Sequence, residues 1–135
     1  MTRRTLLLGL MGLFAAGNIL SAVAPDFLSF TALRFITGLL FLWHGCQKLF
    51  DFPKAASEMP EFIQYGAGGI ELVAGALIAI GLFTRPAAFV ASGLMAVAYW
   101  MAHAPNHLFP LVNGGELASL YCFVFLYISA RGGGN

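Results

Sequence analysis

Thr31 to Phe50 reads TALRFITGLLFLWHGCQKLF, with Arg34 near its start, Lys48 near its end and no other formal charge. About 20 apolar residues wound as a helix cross the hydrocarbon core of a bilayer, so this run reads as a transmembrane span. Its last part, Trp43-His44-Gly45-Cys46-Gln47-Lys48-Leu49-Phe50, sets a histidine and a lysine one helical turn apart inside the span. An ionisable side chain at such a depth costs about 3 kcal/mol or more unless it is paired or hydrated. The rest of the chain is therefore expected to supply partners for His44 and Lys48.

The composition agrees with a bilayer setting. Of 135 residues, 59% are hydrophobic and only 10% charged, against roughly 25% charged in soluble proteins; the mean hydropathy is +0.82. We expect an integral membrane protein of the multi-pass kind, all-α, with short loops and no separate soluble domain. A net charge of +1 leaves no basic surface for nucleic acid. Cys46 and Cys122 are the only cysteines and form no CxxC pair, so neither a dithiol motif nor a disulfide framework is indicated. Both read as small hydrophobes.

Periodicity orients the spans. At about 100° per residue, Arg34, Thr37, Gly38, Phe41, His44, Gly45 and Lys48 share one arc of the second segment, and Cys46 falls outside it. In the third segment, Phe62 to Phe83, Glu71 is the single charge and shares its face with Gln64, Ala67, Gly68, Ala74, Gly75 and Ala79. Small residues around an acid let a neighbouring backbone approach and exclude lipid, so Glu71 is expected to face inward. Thr84-Arg85-Pro86 reads as a tight turn. The fourth segment then runs to His103, with Phe89, Ser92, Gly93, Ala96, Tyr99, Trp100 and His103 on one side. Asn113-Gly114-Gly115-Glu116 fits a capped helix start, asparagine capping with glutamate three residues on. Ser119, Leu120, Phe123 and Tyr127 lie on the Glu116 face, away from Cys122, and Gly132 to Asn135 reads as a flexible tail.

Residues 1–25 form a hydrophobic segment of their own. Arg3 and Arg4 precede an uncharged run to Pro25, which fits either a signal peptide ending in Ser21-Ala22-Val23-Ala24 or a retained helix. Pro25 after the cut is unfavourable for cleavage, so a retained helix with a Gly9, Gly12, Ala16 face is the preferred reading, with Asp26 opening a polar break. Residues 26–135 then form a four-helix membrane domain, a bundle with one additional N-terminal helix.

Alternating span directions place His44, Lys48, Glu71, Tyr99, His103, Glu116 and Ser119 in one half of the bilayer, and Arg34, Arg85 and Arg131 at the other surface as charge anchors. Lys48 leans inward and Glu71 leans toward it, because Cβ atoms tilt toward a helix N-terminus. Arg34 is expected to snorkel outward. Orientation depends on the span count. Lys and Arg favour the arginine side by three to two for the four core spans, and the polar side by four to three if the first segment crosses. The second tally puts the polar half on the cytoplasmic side.

Several stretches carry a family resemblance: Leu33-Arg34-Phe35-Ile36-Thr37-Gly38 leading into His44-Gly45 and Lys48-Leu49-Phe50, Gly69 to Gly75, Gly81 to Ala88, and Asn113 to Glu116. In order and spacing the chain resembles the DoxX/DoxD family of small bacterial membrane proteins over about residues 30 to 130. The resemblance implies a four-helix membrane core. It also implies a link to membrane redox systems, since some members resemble subunits of a thiosulfate:quinone oxidoreductase and others are tied to assembly.

The residues support a quinone-linked redox subunit. Lys48 and His44 can donate to carbonyls, Glu71 can relay protons with Tyr99 and His103 nearby, and Tyr99, Trp100 and Phe123 can wall an apolar ring site. Electrons would come from a partner protein or a soluble substrate. The competing structural reading makes Lys48 and Glu71 a register-fixing ion pair, His44 a core histidine, and Asn113 and Glu116 a cap. A non-catalytic accessory or assembly protein, alone or as a homo-oligomer among membrane lipids, is the alternative. No haem or metal is expected, since His44 and His103 are read at different depths.

Overall fold

The structure, a computed structural model, describes residues 3–23 and 26–134. The junction Ala24-Pro25, on which the cleavage reading turns, lies outside the described residues. Every regular element among them is helical: α1 (Arg3–Val23), α2 (Asp26–Phe50), α3 (Glu61–Ile80), α4 (Thr84–Ala98), a π-helical turn Tyr99–His103, the short α5 (Pro110–Asn113) and α6 (Glu116–Arg131). Among the described residues, two helices, α2 and α3, are long and apolar enough to cross a membrane.

Helix boundaries follow local chemistry. Asp26 does not open a break as expected but starts α2, where its carboxylate meets the positive end of the helix dipole. Pro53 stops the helix soon after Phe50. The turn between α3 and α4 falls three residues before the expected one, at Gly81-Leu82-Phe83. Gly81 takes φ +81, and Leu82 N–H donates to the Leu77 carbonyl at 2.9 Å, which closes α3 in the glycine-terminated manner. Thr84, Arg85 and Pro86 form the first turn of α4, where a proline's missing N–H costs nothing.

Packing joins the helices in two close pairs, α2 with α3 and α4 with α6, and α3 also touches α4. The first pair is interlocked by glycine. A Cβ on Gly75 would sit 2.5 Å from the Leu42 nitrogen, one on Gly45 2.5 Å from the Leu72 nitrogen, and one on Gly38 2.6 Å from the Ala79 nitrogen. Only hydrogen fits, so the two backbones touch along several turns. The second pair packs around Phe125, Ile128, Ala88 and Ala91, and Phe41 reaches across to Phe125 at 4.6 Å between ring centroids.

Three expectations change here. The inward side of α4 is Ala87, Ala88, Ala91, Ser92 and Met95, while Phe89 and Trp100 are exposed. The inward side of α6 is Ala118, Tyr121, Phe125 and Ile128, while Glu116, Leu120 and Phe123 face out. The glycine tail is folded in: a Cβ on Gly133 would lie 3.3 Å from the Gly81 carbonyl and one on Gly134 3.4 Å from the Phe30 ring.

Candidate functional site

The two ends of the helical core carry different chemistry. At one end lie Arg34, Arg85 and Arg131. Arg34 does not snorkel. It is buried, at 7% exposure, and its Nη1 donates to the Ile78 carbonyl and, at 2.9 Å, to that of Ala79. A guanidinium there satisfies carbonyls orphaned at the end of α3 and opposes the negative end of its dipole. Gly81 has to be glycine for a second reason, since a Cβ would sit 2.9 Å from that guanidinium. Arg131 lies over the Phe30 ring at 4.9 Å, and Arg85 packs along Gly132.

At the other end, Lys48 Nζ donates to Glu71 Oε1 in a salt bridge between α2 and α3. The Lys48 side chain is 20% exposed and that of Glu71 only 2%. Gln64, about two turns up the same face of α3, donates to the Lys48 carbonyl at 2.9 Å and closes the end of α2. Glu71 Oε2 is buried without a hydrogen-bond partner among the described residues. A buried carboxylate oxygen left unpaired is costly, and such groups mark places where a ligand, ion or water belongs.

Glu71 borders a cavity of about 250 Å³ at the seam between the two helix pairs. Phe41, His44 and Lys48 come from α2, Met95 from α4, His103 from the π-turn and Tyr121 from α6. His44 stands edge-on to the Tyr121 ring at 6.1 Å, and Tyr121 stacks on Phe125 at 5.5 Å. The volume lies just under the roughly 300–1,000 Å³ of drug-sized ligand sites, and suits one substituted ring. A larger groove of about 440 Å³ runs between α3 and α4 past Val73, Leu77, Phe83 and Val90. Its wall offers no side chain able to orient a polar ligand, which makes it the lesser candidate.

Of the five pocket residues expected from sequence, His44, Lys48, Glu71 and His103 border this cavity and Tyr99 does not. Tyr99 instead organises the connection above it. Its hydroxyl donates to the Leu108 carbonyl and accepts from Asn113 Nδ2 at 3.2 Å, and a Cβ on Gly115 would touch its ring at 2.8 Å. Tyr99, Trp100 and Phe123, expected as walls of the ring site, line a separate groove with Ser119 and Cys122. The aromatic walls of the cavity are Phe41 and Tyr121.

Asn113 ends α5 and is not the cap of α6; the capping position is Gly115. The asparagine cross-links the corner: Nδ2 donates to the His107 carbonyl at 2.6 Å and Oδ1 accepts from Gly115 N–H at 2.7 Å. Its carbonyl accepts from His103 Nδ1 at 3.1 Å. His44 and His103, read at different depths, thus meet at one cavity. Even so, no three His, Cys, Asp or Glu side chains among the described residues are grouped to hold a metal ion. Tyr121 is the residue missed from sequence, although Ala118, Tyr121, Phe125 and Ile128 follow helical spacing and mark an inward stripe.

An all-helical chain, two of whose described helices are long and apolar enough to cross a membrane, here carries a partly buried ion pair beside a cavity. The DoxX family profile matches residues 29–104, and the chain belongs to the DoxX family. An uncharacterized protein of Haemophilus influenzae is 40% identical over 124 residues, which cover 87% of this chain and 91% of the relative. No solved structure matches the chain.

Proposed function

We propose that the protein is a multi-pass subunit of a membrane redox system in the bacterial inner membrane, and that its cavity receives a quinone headgroup. The observation that carries this reading is the orphaned Glu71 Oε2 beside the Lys48 ammonium, at the wall of a ring-sized cavity. The residues fit such a group: Phe41 and Tyr121 would hold its ring, Lys48 and His44 would donate to its oxygens, and Glu71 and His103 would accept from its hydroxyl groups in the reduced state. A bound quinone would supply two-electron redox chemistry; the chain's part is to orient the ring, exclude water and hold protons at Glu71 and the histidines. In the bilayer, α2, α3, Thr84 to His103 and α6 act as a four-span bundle, with α1 as an additional apolar helix. Electrons come from a partner protein or a soluble substrate.

The test is purification in mild detergent followed by lipid extraction. Wild-type protein is expected to retain a quinone, and Lys48→Met, which removes the fixed donor, to lose it while remaining helical. A second reading, an accessory or assembly protein, draws on α1: its apolar side chains from Leu6 to Phe14 are exposed, and nothing lies within 4 Å of a Cβ on Gly9 or Gly12. That helix is free to pack against a partner or a second copy. Variants that bind quinone as before but lose a co-purifying protein would decide for this second reading.

A further inference from the structure

Two groups on the cavity wall have a hydrogen-bonding sense already set by their surroundings, and both are acceptors. Glu71 Oε1 is taken by Lys48, leaving Oε2 as a buried carboxylate oxygen with no donor among the described residues. His103 Nδ1 faces the Asn113 carbonyl at 3.1 Å. A carbonyl can only accept, so Nδ1 carries the proton, and in the neutral ring Nε2 is a lone pair seeking a donor. The sense at His103 is imposed from the α5 corner, where Asn113 is itself held by Tyr99, His107 and Gly115. Lys48 is the fixed donor in the wall, giving one of its three N–H groups to Glu71 Oε1, and His44, also in the wall, can present either a donor or an acceptor nitrogen. The Tyr121 hydroxyl turns to suit either partner.

We propose that the cavity selects the reduced, hydroquinone form of its headgroup over the oxidised quinone, with Glu71 and His103 accepting from the ligand's hydroxyl groups. The proposal rests on the quinone-site reading above. A hydroquinone brings two O–H donors to the two open acceptors, while its oxygens can still accept from Lys48. A quinone brings only carbonyl oxygens, whose lone pairs would face the lone pairs of Glu71 Oε2 and His103 Nε2 and leave both unsatisfied.

The experiment is anaerobic equilibrium dialysis of the full chain in lipid nanodiscs against a short-chain benzoquinol and the matching benzoquinone. The quinol is expected to bind about tenfold or more tightly, the ratio that one unmet buried acceptor produces. Glu71→Gln, which trades the acceptor for an amide that also donates, should remove most of the preference. Because that change strands Lys48 and can unfold the protein, His103→Phe is the second variant: it keeps a ring, removes the acceptor, and should weaken quinol binding while leaving quinone binding nearly unchanged. Equal affinities, or tighter quinone, in the wild type would overturn the selectivity and leave the headgroup site standing. An unaltered ratio in His103→Phe would remove His103 from the proposal. Binding of neither form would overturn the site itself.

Discussion

Glu71 is almost wholly removed from solvent and is held by one lysine, so the energetics of the pair are dominated by what happens when one member is lost. Glu71→Gln leaves Lys48 without its counter-charge and is expected to cost about 3 kcal/mol. Adding Lys48→Met should return much of that loss, since no charge then remains unpaired. Unfolding titrations of the two single variants and the double variant in one detergent measure the coupling, and additive losses would refute a coupled pair. The pair was legible because a helical wheel put Lys48 and Glu71 on facing stripes, and antiparallel spans brought them level. Tyr99 was misplaced because that wheel assumes constant winding, whereas the chain widens into a π-turn at Tyr99–His103, and the Ala104 N–H reaches back to the Tyr99 carbonyl at 2.9 Å. Such a turn shifts the phase of what surrounds it. Tyr121 was missed because the inward side of α6 was anchored on Glu116, a charge that lies outside.

Among the elements, α2 and α3 depend on glycine for their contact, and the dependence is specific in position. Gly75→Ala puts a methyl group 2.5 Å from a backbone nitrogen and 2.8 Å from the Gly38 carbonyl, so the helices must separate; a loss of about 1–3 kcal/mol is expected. Gly69→Ala, one residue row away, meets nothing within 4 Å and should be neutral or mildly stabilising, because alanine favours helix. Thermal midpoints of both variants in the same detergent distinguish a positional requirement from a general dislike of alanine. Arg34→Met should release the Ile78 and Ala79 carbonyls, and faster hydrogen exchange confined to the last turn of α3 would show it. Gly38, Gly45, Gly68 and Gly75 were readable as inward-facing from spacing alone. The capping role of Arg34 was not, because a charged residue near the start of a span reads as an anchor until the end of the neighbouring helix is seen beside it.

At the scale of the whole molecule, all-helical architecture and the separation of a polar end from an arginine end follow from composition and stripe positions. The seam between the helix pairs does not, because it depends on which stripe meets which. α1 stands outside this arrangement, its apolar side chains from Leu6 to Phe14 exposed. A protein lacking residues 1–24 is therefore expected to keep its helical core, with a thermal midpoint within roughly 4 °C of the full chain, a shift that corresponds to less than about 1 kcal/mol; a collapse in stability would show that α1 packs on the core in the bilayer.

The glycine interlock has a mechanical meaning as well. With backbones in contact, α2 and α3 can neither slide nor rotate past one another without steric collision, so they behave as a single stiff plank. The opposing pair meets it through rotatable side chains such as Phe41, Met95 and Tyr121. Compliance is therefore concentrated at the seam that holds the cavity, which is stiff on one wall and adjustable on the other.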